Sequence, residues 1–213
     1  MKKAFTILEL IFVLVVMGIL SAILSPQIRS NKLREAAIQV VSHIRYTQHL
    51  AMVDDKFDAN DDDWHKKRWQ LIFGSSRYTK RKISYSIFSD NGSFDGNPNL
   101  GELALDPMSS DKFLSGGDSG ILYTKDSRAN KNMNIGLKYG IGSVTFTKGC
   151  AHSSVRRLTF DNFGRPIKGT INRYNSVFKA NRLLKTTCKI VLTNSQGSVT
   201  IAIEPETGYA HIL

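Results

Sequence analysis

FTILELIFVLVVMGILSAILS, residues 5–25, decides how the rest of the chain is read. These 21 residues carry one charge, Glu9. As a helix rising ~1.5 Å per residue the run is about 30 Å long, the thickness of a bilayer core. Met1-Lys2-Lys3-Ala4 precedes it as a short basic leader. Lys2 and Lys3 keep that leader cytoplasmic by the positive-inside bias, which sends the remainder outward. The expectation is a single-pass membrane protein whose N-terminus is cytoplasmic and whose remainder faces outward. Two plainer readings stand beside it. A secretory signal peptide also joins basic residues to an apolar stretch, but its cut falls after that stretch, and its apolar region is usually shorter and free of acids. An ordinary anchor has no use for a carboxylate near its start.

Glu9 is the odd residue. A charged side chain inside a bilayer costs about 3 kcal/mol on insertion scales, so it normally faces a partner. The nearest cation would be an α-amino group freed by a cut just before Phe5. One subunit's Glu9 would then neutralise its neighbour's Phe5 amine and dock the two in register.

K-K-A followed by F-T-I-L-E-L-I-F-V resembles the class III leader of type IV pilins and type II secretion pseudopilins. That resemblance implies a cut between Ala4 and Phe5 by a prepilin peptidase, which also N-methylates Phe5. It implies subunit assembly through Glu9, the fifth residue of the trimmed chain. Gly18 and Pro26 stand where the family commonly has Gly and Pro. Ala4 departs from the pattern, where Gly is usual, but it is still small. The resemblance covers about the first 26 residues. Its implied partners are the peptidase/N-methyltransferase, other pilins or pseudopilins in a filament, and the inner membrane.

Pro26 removes one backbone hydrogen bond and predicts a helix kink. Beyond it Ile28, Leu33, Ala37, Val40, Val41, Ile44 and Ala51 recur at helical spacing, so residues 26–53 form an amphipathic half. His43 and His49 are six apart, too poorly aligned for a zinc pair, and read as packing or solvated residues. Residues 54–63 then hold six Asp. Asp58, Asn60 and Asp62 mimic the start of a calcium loop, but its sixth position would be Asp63 instead of Gly and its twelfth Trp69 instead of Glu. That excludes an EF-hand and leaves a solvated acidic loop, or an irregular calcium site.

From Trp64 the period changes from about 3.6 to 2. RWQLIFG, KISYSIFSD, ILY near Ile121, IGSVTFTKG and VRRLTFDNFGRP read as strands, and KIVLTNSQGSVTIAIEPETGYAHIL as closing hairpins. W-Q-L-I-F, I-F-S-D-N-G, L-T-F-D-N-F-G-R-P and T-G-Y-A-H-I resemble H-type pseudopilins and FimT-like minor pilins. That resemblance implies a β-sandwich on the end of the long helix. The expected fold is therefore α+β and pilin-like: a long N-terminal transmembrane helix packed on a mostly antiparallel β-sandwich. Its parts are a cleaved leader (1–4), a transmembrane half-helix (5–25), an amphipathic half (26–53) and a β-rich periplasmic domain (54–213).

Outside the inner membrane thiols are oxidised, so Cys150 and Cys188 are expected to form a disulfide, with two unrelated buried thiols as the alternative. The 213-residue chain has 29 Lys and Arg against 18 Asp and Glu, a net charge of +11. Ten of those bases lie between Lys148 and Lys189, where Asp161 is the only acid. Arg156, Arg157, Arg165, Lys168, Arg173, Lys179, Arg182 and Lys185 are the candidate nucleic-acid contacts, with Phe163, Tyr174 and Phe178 interleaved. A second run, Lys66 to Lys82, holds seven bases and no acid. A solvated basic face, or contact with acidic neighbours in a filament, explains the same charges. Gly117-Asp118-Ser119-Gly120 echoes a serine-protease segment but lacks the following Gly and a suitable upstream His. No catalytic centre or cofactor is implied. Three functions stay open: a structural filament subunit, a DNA-uptake minor pilin, and an unassembled single-span periplasmic binding protein.

Overall fold

The computed structural model describes residues 6–24, 31–92, 94–117, 122–147, 149–152, 155–173, 175–177 and 181–213. It divides into two units, Met1–Asn31 and Lys32–Leu213. The first holds helix α1 (Ile7–Leu24). Pro26 and the kink expected there lie outside the described residues.

The second unit opens with the amphipathic helix α2 (Lys32–Val53). Ala36, Ala37, Val40 and Ile44 are wholly buried along one stripe, as their three- and four-residue spacing requires. One sheet contains β1 (Trp69–Gly74), β2 (Ser84–Ser89), β6 (Arg157–Phe160) and β7 (Pro166–Lys168), in the order β2-β1-β6-β7. A second contains β5 (Ser143–Phe146), β8 (Cys188–Asn194), β9 (Gly197–Ile203) and β10 (Ala210–Ile212), in the order β10-β9-β8-β5. The short strands β3 (Leu105–Asp106) and β4 (Ser109–Phe113) pair separately. All these pairings are antiparallel. A one-turn helix, α3 (Ile135–Lys138), precedes β5.

This arrangement corrects the expected fold. Among the described residues no helix is long and apolar enough to cross a membrane. The 18 described residues of α1 amount to about 27 Å against a ~30 Å core, and Glu9 sits in the first turn. The single-pass inner-membrane placement is corrected on the same ground. Among the described residues, in place of one long helix on a sandwich, there are three short α-helices and three small antiparallel sheets. α2 touches strands of both four-stranded sheets, so part of each inner face is covered by helix instead of by the opposing sheet.

The core joins α2 to both sheets through Ile44, Leu71, Tyr85, Leu158, Phe160, Ile190 and Ile201, all fully buried. Each such side chain contributes about 2 kcal/mol of transfer free energy. β2 is buried on both faces, because Leu103, Leu122 and Ala129 pack on Phe88 as a smaller second core. Polar contacts lock α2 in place. Arg45 donates to the Ala210 carbonyl, and Gln48 Nε2 donates to the carbonyls of Gly164 and Thr207 at 2.8 and 2.7 Å. That close approach needs glycine at position 208, where φ is +65° and a Cβ would lie 2.6 Å from the Gly164 carbonyl oxygen.

Candidate functional site

Two places carry the residues singled out in the sequence. The first is α1. Glu9 lies in its first turn and is exposed, its backbone N–H donating to Thr6 Oγ1 at 3.3 Å. The described apolar side chains around it, from Ile7 to Leu20, are exposed as well. Ala4 and Phe5, the expected cut and methylation sites, lie outside the described residues.

The second place is a cleft of about 620 Å³ beside β1 and β6. Arg156, Arg157, Arg173 and Arg182 all line it, together with His152, and Asp95 is the one carboxylate on its wall. Four of the eight predicted basic contacts therefore converge. Arg157 is buried on β6; it donates through Nη1 to Gln70 Oε1 at 2.8 Å and through Nη2 to the Gly96 carbonyl. It is fixed within the fold instead of projecting as a surface cation. Gly96 is held from its other side too, its N–H donating to Asp90 Oδ2 at 2.9 Å. Burial pushes the Asp90 carboxyl above its usual range, with the Gly96 hydrogen bond opposing. Asn172 Nδ2 donates to the Phe94 carbonyl at 2.7 Å and ties the loop after β7 to the loop after β2.

The other predicted contacts do not join this cleft. Arg165 Nε pairs with the buried Asp161 at 2.7 Å, and Asp161 also accepts from the backbone of Phe163 and Arg165, closing the β6–β7 turn. Arg165 lines a separate cleft of about 470 Å³ with Lys185 and Glu206. Lys168 stands on β7, and Lys179 lies outside the described residues. His152, Asn172 and Asp95 were missed, since a lone polar residue in a loop carries no periodic signal.

The acidic loop is explained by its neighbours. Asp54, Asp61 and Asp63 pair with Lys56, Lys67 and Lys66 at 2.5, 2.6 and 2.7 Å. The Lys67 hydrogen bond holds Asp61 below the usual carboxylate range. Part of the second basic run thus answers the acids beside it, and Arg68 is buried with Nη1 donating to the Val177 carbonyl. Among the described residues no cluster of three His, Cys, Asp or Glu meets as a metal site. Asp118, Ser119 and Gly120 lie outside the described residues.

The remaining pair does meet: Cys150 and Cys188 form a disulfide between the segment after β5 and the start of β8. Comparison with family models, with curated proteins and with solved structures found no match to this chain.

Proposed function

We propose that this chain is a minor structural subunit of a pilin- or pseudopilin-type filament, trimmed before Phe5 and assembled through α1. One observation carries the reading: α1 is apolar on every side, its described apolar side chains are exposed, and its single charge is Glu9. An uncovered apolar surface of that extent loses about 25 cal/mol for each Å² left in water, so it calls for a cover. Copies of the same helix from neighbouring subunits supply one. Inside such a bundle Glu9 would be stranded in a dry setting, where an unpaired carboxylate is costly. The α-amino group of a neighbour's Phe5, created by prepilin peptidase, removes that cost. The machine served is of the type II secretion or type IV pilus kind.

Intact mass of the protein, purified from cells that carry a prepilin peptidase, tests the reading. The expected mass lacks four residues and gains one methyl. Glu9→Gln is expected to be trimmed normally yet to fail to co-sediment with filaments. Retention of Met1 to Ala4, or normal incorporation of the Glu9→Gln chain, would overturn it.

A further inference from the structure

The arginine cleft is independent of the filament reading, and its chemistry points to a ligand. Four arginines line the cavity, Arg157 from a buried position, and among the described residues Asp95 is the one carboxylate on its wall. Arg156 and Arg173 place two further positive charges beside Arg157 on one concave surface, where an anion is attracted by each. Among the described residues neither Arg156 nor Arg173 is in a salt bridge. The walls are also built to keep their shape. Gly169 has φ +80°, and a Cβ there would lie 2.8 Å from Arg182 Nη1 and 2.9 Å from the His152 ring. Only glycine lets those two side chains close over that stretch of backbone. Arg157 is clamped by Gln70 and Gly96, so its charge acts from a fixed position without reorganisation.

We propose that this cleft binds a compact oxyanion bearing two adjoining phosphate groups. Planar guanidinium forks match phosphate oxygens two at a time, which is why arginine instead of lysine suits the task. Arg156 and Arg173 make the direct contacts, Asn97 and Asn172 on the same wall supply neutral amides, and Arg157 sets the potential from below. The volume lies within the range of small-ligand sites. A concave pocket of this size admits a diphosphate.

Calorimetric titration of the full chain with sodium pyrophosphate at low salt tests this. One ion per chain is expected, with an affinity that weakens as salt screens the charges. The double variant Arg156→Gln/Arg173→Gln is expected to bind at least about tenfold more weakly while unfolding at the native midpoint. A parallel titration with a nucleoside diphosphate separates the sources: tighter binding names a carried diphosphate, weaker binding a free ion. Absence of binding, or unchanged affinity in the double variant, overturns the proposal. So does a DNA duplex held through Arg156 and Arg173 that pyrophosphate cannot displace.

Discussion

At the residue scale His43 is the most informative side chain. Its Nδ1 lies 2.6 Å from the hydroxyl of Tyr85, which also accepts from Gln39 Nε2 at 2.8 Å. The Tyr85 hydroxyl thus bridges Gln39 and a neutral imidazole. Burial lowers the His43 pKa to about 4 from 6.5, with Asp106 opposing. The unfolded chain binds this proton near pH 6.5 and the folded chain holds it off until about pH 4. Stability from His43 is thus fully present above pH 6.5 and lost as pH falls towards 4, by up to about 3 kcal/mol. Urea unfolding midpoints at about pH 7 and about pH 4.5, either side of most of that titration, check this: His43→Gln is expected to lose less stability than the native chain over that interval. The sequence marked His43 as a packing or solvated residue, because helical spacing reveals a face but not the hydroxyl waiting on it. The arginines were harder to read. Arg157 and Arg165 look alike in a basic run, yet one is clamped by neutral oxygens and the other by Asp161. Charge count registers both equally, while burial separates them.

At the element scale the regular pieces were legible and the irregular ones were not. The stripe of α2 and the alternation in β5 and β8 follow from period, and the Asn194–Gly197 and Glu206–Gly208 turns from their residue types. The stretch from Pro107 to Lys138 has no period, because it covers β2 with isolated bridges and short irregular pieces instead of a ladder. The disulfide needed only the two cysteines and an expected compartment. It spans 38 residues of sequence and fastens the segment after β5 to β8. Replacing both cysteines by Ala is expected to lower stability by about 4 kcal/mol on the chain-entropy estimate. Urea unfolding of that variant beside the oxidised native chain measures the difference; equal midpoints would show that the sheet already holds those ends together.

At the scale of the whole molecule, length misled where composition did not. Residues 5–25 count as a span in the sequence, but the helix among the described residues is α1, with 18 residues and Glu9 in its first turn. Among the described residues, every buried core residue of the second unit belongs to that unit itself. A chain beginning at Lys32 is therefore expected to melt at the same temperature as the full chain, followed by circular dichroism. A lower midpoint would mean that the N-terminal unit contributes to the fold.

The contact from Arg45 to Ala210 joins residues 165 apart. A ribosome makes α2 and β1 well before β9 and β10, so the part of the stripe that β9 and β10 cover stays open after β1 can already dock. At ~5–20 residues per second that wait is on the order of ten seconds. A nascent chain stalled before Gly197 would leave that part of the helix bare.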